Sequence, residues 1–170
     1  MTLVIEVIKL TLFPAMMAFA ALSDFFTMTI ANRVSLILVA GFGLLALLVG
    51  MTTTEVISHA GAAAAVLAVV FVLFARGWIG GGDAKLAAAT VLWLGFAHLA
   101  DYLIYASLFG GALTLAIIQF RAMPLPALFV GREWAERLHR LDGGVPYGIA
   151  LAAAALLVYP HTEWMAAIIR

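Results

Sequence analysis

Long runs of apolar residues leave this chain few possible folds. They lie at about residues 3–23, 34–51, 57–75, 86–99, 102–120 and 145–160. In hydrocarbon, backbone N–H and C=O groups must be paired within the protein, and a helix pairs them within its own segment. Roughly 20 residues cross the hydrocarbon core without tilt, and several of these runs are shorter. The sequence therefore predicts an all-α, polytopic membrane bundle of about six transmembrane helices.

Composition agrees with a bilayer as the main solvent. Hydrophobic residues make up 66% of the 170 residues and charged residues 11%, with a mean hydropathy of +1.15. In a soluble domain about half of the residues are hydrophobic and about a quarter are charged. We expect residues 1–170 to form a single integral-membrane domain, with the lipid bilayer as a partner. The formal net charge of zero gives no reason to expect a nucleic-acid partner. Because cysteine is absent, disulfides, thiol nucleophiles and cysteine-based zinc sites are excluded.

The basic residues predict an orientation. Seven of the nine Lys and Arg residues fall in the odd-numbered connections between the predicted helices. Positively charged connections stay on the cytoplasmic side, so both termini should face outward. A cleaved signal peptide is the alternative at the start, since Lys9 and Ala18-Phe19-Ala20 imitate one. Cleavage there would leave five helices and put Arg33 at an outer terminus.

The connection before the last predicted helix contains a segment in which apolar and charged residues alternate at helical spacing. Trp134, Leu138 and Leu141 recur at helical spacing among charges, which predicts a short interfacial helix over residues 132–141. A solvated loop helix fits the same pattern. Tryptophans often form a belt at the membrane interface, and we assign most of the four to that role: Trp78, Trp93, Trp134 and Trp164.

Two aspartates stand out by position. Asp24 lies at the end of the first predicted helix and Asp83 at the start of the fourth. In the predicted orientation both positions lie at the cytoplasmic boundary of the membrane. Peptide hydrolysis by carboxyl groups needs one ionised group to accept a proton from water and one protonated group to polarise the carbonyl. A pair of carboxyl groups sharing a site supplies both forms.

Structural roles for the same residues remain open. Asp83 could be the N-cap of its helix, and Asp24 could be a terminal charge that reaches headgroups. The glycine run before Asp83, residues 80–82, exceeds what one cap requires. Glycine permits close approach of another backbone, so an extended peptide could lie there. Lys85 is two positions from Asp83 and should not face it, so we assign it to headgroups or loop carbonyls.

Three segments together resemble the type IV prepilin peptidases, which are membrane aspartic peptidases. The first is the Gly-x-Gly-Asp-x-Lys pattern made by Gly80, Gly82, Asp83 and Lys85. The second is Asp24 followed by Thr29-Ile30-Ala31-Asn32, where the family has a proline at the position of Ala31. The third is Pro146-Tyr147-Gly148 at the start of the last helix. The resemblance covers essentially the whole chain.

The resemblance implies a function for these residues. Asp24 and Asp83 would be the catalytic pair of a leader peptidase. The remaining motif residues would bind substrate or maintain the structure of the motifs: Asn32, Gly80, Gly82, Lys85, Pro146, Tyr147 and Gly148. The substrate would be a prepilin precursor, cut where its basic cytoplasmic leader meets an apolar helix. The location would be the bacterial inner membrane, with the active site toward the cytoplasm. No cofactor or metal is implied.

The likeness is greatest to the short branch that serves tight-adherence (Flp-type) pili. Larger members carry an added cytoplasmic region with paired cysteines and N-methyltransferase activity, which the cysteine-free sequence does not support. Three other classes fit parts of the sequence. A proton-coupled transporter also uses intramembrane acids. A phospholipid enzyme could hold magnesium with both aspartates. A non-catalytic pilus-assembly subunit would tolerate loss of both.

Overall fold

Residues 2–166 are described by a computed structural model, and within them every regular element is helical. There are eight α-helices: α1 (Thr2–Thr27), α2 (Asn32–Val49), α3 (Thr53–Ala75), α4 (Gly81–Leu94), α5 (Leu99–Ala122), α6 (Glu133–His139), α7 (Tyr147–Val158) and α8 (Glu163–Ala166). Short 3₁₀ turns occupy Ala127–Phe129 and Tyr159–His161. The predicted all-α membrane bundle is confirmed.

Helices α1, α2, α3 and α5 are long and apolar enough to cross a membrane. The other two predicted helices are shorter, with 14 residues in α4 and 12 in α7. Helix α4 begins at Gly81 rather than near residue 86, because Gly80 is its N-cap. It ends at Leu94 rather than near residue 99, because Gly95 follows with a positive φ of 67°.

Helix α4 is the central element of the bundle. Every residue from Leu86 to Leu94 is buried, and α2, α3 and α7 all pack against the helix. Helix α7 also packs against α1 and α5, so it links the first and last parts of the chain. Because other helices surround α4, it can be shorter than the hydrocarbon thickness without exposing its ends to lipid tails.

The interfacial role assigned to the tryptophans is wrong for two of them. Trp93 is 0% exposed and Trp164 5% exposed. The Trp93 indole donates a hydrogen bond to the Leu38 carbonyl (2.9 Å), and the Trp164 indole donates to the Trp93 carbonyl (2.8 Å). These pairings satisfy the indole N–H groups inside the bundle, so both rings serve the core. Trp78, in contrast, is exposed.

The short helix predicted for residues 132–141 is present as α6. It is attached to the ends of two long helices: the Arg137 guanidinium donates to the Phe26 carbonyl (2.6 Å), and the Arg121 guanidinium donates to the Leu138 carbonyl (2.8 Å). Trp134 packs against Phe25, with ring centroids 5.2 Å apart. Helix α6 therefore lies over the end of α1 that carries Asp24.

Candidate active site

Asp24 lies in the last turn of α1 and is 4% exposed. One of its carboxylate oxygens accepts a hydrogen bond from the backbone N–H of Gly148, at 2.7 Å. Gly148 is the second residue of α7, and N–H groups in a first helical turn have no partner within their helix. A negative charge at a helix N-terminus is also favoured by the helix dipole. Asp24 therefore caps α7 from a helix 124 positions away in sequence.

The position of Gly148 admits no side chain. A Cβ atom there would lie 2.8 Å from the Asp24 carboxylate and 2.6 Å from Cδ1 of Ile30. Both separations are below contact distance, so any larger residue must displace one of these neighbours. A glycine is therefore needed in the Pro-Tyr-Gly segment, because a side chain at that position would collide with Asp24.

Asp83 is the third residue of α4 and is half-buried. The structural alternative that Asp83 is the N-cap of α4 is wrong, because Gly80 holds that position. The Asp83 carboxyl group folds back toward Gly80, with one oxygen 2.9 Å from where a Cβ of Gly80 would be. Each aspartate therefore lies beside the N-terminal end of a helix. The Asp24 carboxylate, from the end of α1, contacts the first turn of α7, and Asp83 is itself in the first turn of α4.

The two carboxyl groups lie at the same end of the bundle, because Asp24 contacts the first turn of α7 and Asp83 lies in the first turn of α4. Helices α4 and α7 pack together, and Ile30 fills the space between their first turns. The Ile30 side chain would meet a Cβ at Gly82 at 3.2 Å and one at Gly148 at 2.6 Å. The structure thus brings Asp24, Gly82 and Gly148 together around one buried isoleucine, and Asp83 follows Gly82 in the same helical turn.

The glycine run contacts this chain itself. A Cβ at Gly81 would meet the Phe74 ring of α3 at 3.2 Å, and one at Gly82 would meet Ile30 at 3.2 Å. The expectation that an extended peptide lies against the backbone at Gly82 stays a prediction, because Ile30 occupies only the direction in which a side chain would point. The close approach that glycine permits is used to bring α3 and the α1–α2 connection against α4.

Lys85 and Asn32 are joined by a hydrogen bond. The Lys85 ammonium donates to the Asn32 side-chain carbonyl at 2.9 Å, across 53 positions of sequence. The partner of Lys85 is therefore a side chain of a second motif, where we expected headgroups or loop carbonyls. Since Asn32 begins α2 and Lys85 lies near the start of α4, the bond joins these two helices close to Asp83.

Ala31 has the backbone shape of the residue it replaces. It is the N-cap of α2, with φ −65° and ψ 139°. Proline fixes φ near −65°, so the alanine adopts the angle that a proline would impose. The backbone of the connection between Asp24 and Asn32 is therefore compatible with a proline at position 31.

The other motif residues contact their surroundings in different ways. Pro146 is buried and is the N-cap of α7. Tyr147 faces α5: its hydroxyl lies 3.1 Å from that of Thr114, and its ring lies against Gly110. Of the three residues in the segment, Gly148 is the one that contacts Asp24.

Ile30 is the site residue that sequence reasoning missed. It is buried and contacts both glycines of the site. The sequence contained one indication of its role: Ile30 is a large apolar residue in a short connection between two helices, and such residues are usually buried.

A model of the type IV leader peptidase family matches residues 11–115. The matched segment contains Asp24, Asn32, the glycine run, Asp83 and Lys85, and it ends before α6 and α7. No curated protein and no solved structure matches the chain.

Proposed function

We propose that this chain, which belongs to the type IV leader peptidase family, is an aspartic endopeptidase with Asp24 and Asp83 as its catalytic pair. Leader-peptide cleavage of prepilins is the activity that the family implies. The observation that supports the assignment is that the buried Asp24 and the half-buried Asp83 lie at one end of the bundle, inside the matched segment.

The chemistry follows from two carboxyl groups that share one proton. The ionised member takes a proton from water, whose oxygen attacks the scissile carbonyl carbon. The protonated member gives its proton to the carbonyl oxygen, which yields a neutral tetrahedral intermediate. Collapse of the intermediate breaks the C–N bond: the carboxyl group that took the water proton gives it to the leaving nitrogen, and the other carboxylate takes a proton from a hydroxyl of the intermediate, which restores the shared proton. The Gly148 N–H holds the Asp24 carboxyl group in a fixed orientation for these transfers.

The same proposal assigns the location. The chain is a multi-pass membrane protein, and we place it in the bacterial inner membrane with the aspartate end toward the cytoplasm. The support is charge: Lys85, Arg121 and Arg137 all lie at the end of the bundle that holds Asp24 and Asp83. The leader of a membrane-inserted precursor would reach the pair from that side.

We further assign the chain to the short, peptidase-only branch of the tight-adherence type. The connection between α1 and α2 covers only residues 28–31, and the sequence contains no cysteine. Both facts argue against the added cytoplasmic region of the bifunctional members. We therefore propose that residues 1–170 act as one peptidase domain without methyltransferase activity.

Co-expression with a pilin precursor tests the catalytic pair. Asp24→Asn and Asp83→Asn should each abolish cleavage, because an amide keeps the shape of a carboxyl group but cannot exchange its proton. In the Asp24→Asn variant the side-chain amide carbonyl could still accept the Gly148 N–H, so insertion and folding should persist. The double variant should be no worse than either single variant, because residues that act as a unit are not additive.

Asp101→Asn and Asp142→Asn are the matched controls. Both side chains are exposed, and Asp142 pairs with Arg140 at 2.8 Å on the surface. Surface ion pairs contribute little, so both controls should process the precursor normally. Near wild-type cleavage by either Asp24→Asn or Asp83→Asn would show that the proposed mechanism is wrong.

A further inference from the structure

Arg121, in the last turn of α5, bonds to two carbonyl groups of the segment that leads into α7. Its Nε atom donates to the Leu138 carbonyl at 2.8 Å, and its Nη2 atom donates to the Gly144 carbonyl at 2.7 Å. Leu138 lies near the end of α6, where carbonyl groups have no partner within the helix. One guanidinium group therefore joins α5 both to the end of α6 and to the connection that precedes α7.

The guanidinium group of Arg121 is packed as well as bonded. Its side chain is half-buried, and the guanidinium lies on the side of Gly143 where a side chain would point. A Cβ at Gly143 would be 3.2 Å from Nη2 of Arg121 and 3.2 Å from the carbonyl oxygens of Arg137 and Arg140. Arginine presents its donors in a rigid planar fork, so it can hold two carbonyl groups in one fixed arrangement.

The backbone between Gly144 and Gly148 has little freedom to absorb a displacement. Gly144 lies four positions before Gly148, and the Tyr147 N–H donates to the Val145 carbonyl at 2.8 Å. Pro146, with φ −73°, has its φ angle restricted by its ring. The Tyr147 side chain also contacts α5, the helix that carries the guanidinium. A shift of the Gly144 carbonyl should therefore move the Gly148 N–H.

We infer that Arg121 is a positioning residue for the peptidase reaction, because it fixes the Gly148 N–H that orients the Asp24 carboxyl group. The inference rests on the proposed peptidase function and adds a residue to it. The Arg121 guanidinium donates to main-chain carbonyl groups, so it acts through the start of α7 and not on the substrate. Its loss should slow the chemical step without weakening substrate binding.

Steady-state cleavage of a pilin precursor tests this role. Arg121→Lys keeps the charge but loses the planar fork, and Arg121→Gln removes the charge as well. Both should lower kcat at least about tenfold, the scale of one hydrogen bond to a charged group, with KM nearly unchanged. Arg140→Lys and Arg140→Gln are the matched controls, because the exposed Arg140 guanidinium bonds to Asp142 on the surface. Both controls should leave kcat and KM unchanged.

Hydrogen exchange at the Gly148 amide gives a readout that does not depend on activity. In protein made with isotope-labelled glycine, the Gly148 signal is the one that Gly148→Ala removes. Its exchange should be at least about tenfold faster in Arg121→Lys than in the wild type, because the amide loses its fixed partner. Gly61, in α3, is the reference. Its exchange should stay unchanged, since a general loss of stability would speed exchange at both amides.

The outcomes separate the two proposals. If the wild-type protein does not cleave the precursor, the peptidase function is wrong and the positioning role with it. If it cleaves but Arg121→Lys retains the wild-type kcat, the positioning role alone is wrong. A lower kcat with unchanged exchange at Gly148 would also overturn the inference, because Arg121 would then act by another route. Faster exchange at Gly61 in both Arg121 variants would mean that Arg121 maintains the whole fold instead.

Discussion

Gly148 is the residue that determines how closely α7 approaches Asp24. Gly148→Ala should displace the Asp24 carboxyl group or Ile30, since the added Cβ would lie 2.8 Å and 2.6 Å from them. We expect cleavage to fall at least about tenfold and the free energy of unfolding to fall by about 1–3 kcal/mol, the range for overpacking. Precursor processing and thermal unfolding in detergent measure the two effects.

Gly111→Ala is the control for that substitution. Gly111 lies within α5, and a Cβ there meets nothing within 4 Å. The variant should cleave normally and gain about 0.5–1 kcal/mol in stability, the usual advantage of alanine over glycine inside a helix. If Gly148→Ala behaves in the same way, the steric role of Gly148 is wrong.

The Lys85–Asn32 hydrogen bond gives a coupled pair of predictions. Lys85→Ala and Asn32→Ala should each lower cleavage by about two- to tenfold, the effect of one hydrogen bond of about 0.5–1.5 kcal/mol. The double variant should lose no more than either single variant, because both remove the same contact. Lys85→Arg keeps a donor and should retain most activity. Additive losses in a double-mutant cycle would mean that each residue acts separately.

Several site residues could be recognised from sequence, but their partners could not. Asp24, Asp83 and Lys85 were conspicuous because charged residues are rare in an apolar chain. Asn32 could be recognised because its spacing from Asp24 resembles that in the family. The Lys85–Asn32 bond spans 53 positions, so only the packing of α2 on α4 reveals it. The Gly148 contact with Asp24 involves a backbone N–H, which every residue except proline carries and which no composition signal marks.

At the scale of elements, the α1–α2 connection offers a test of backbone shape. Ala31→Pro should be tolerated, because Ala31 already has φ −65° and its N–H donates no hydrogen bond among the described residues. The unfolded chain loses freedom, so stability should rise by about 0.4–1 kcal/mol with cleavage retained. Ala31→Gly should shift stability the opposite way. Unfolding temperatures in detergent compare the variants, and a lower value for Ala31→Pro would contradict the argument.

The existence of the helices could be predicted, whereas their environment could not. Apolar runs identify membrane helices, but a helix facing lipid and a helix facing protein are both apolar. Helix α4 therefore gave no sign that it is the central element, and Trp93 gave no sign that its indole N–H bonds to Leu38. The boundaries of α4 depended on Gly80 and Gly95, one an N-cap and one at positive φ, which the apolar pattern does not distinguish from other glycines.

At the scale of the whole molecule, charge asymmetry predicts the orientation. Reporter fusions after Arg76 and within residues 125–140 should report cytoplasm, because those connections carry the basic residues. A fusion at Thr53, in a connection without Lys or Arg, should report the outer side. A cytoplasmic signal at Thr53 would reverse the proposed placement of the aspartate pair.

The hydrogen bond from Gly148 to Asp24 also sets an order of events during synthesis. Asp24 and Asp83 are translated early and both lie in the segment that the family model matches, but the donor to Asp24 belongs to α7, beyond that segment. A nascent chain that stops after α5 contains both carboxyl groups and lacks the contact that orients one of them. We therefore expect cleavage activity to appear only after α7 has left the ribosome and inserted, and we expect chains that end before α7 to be inactive toward precursors.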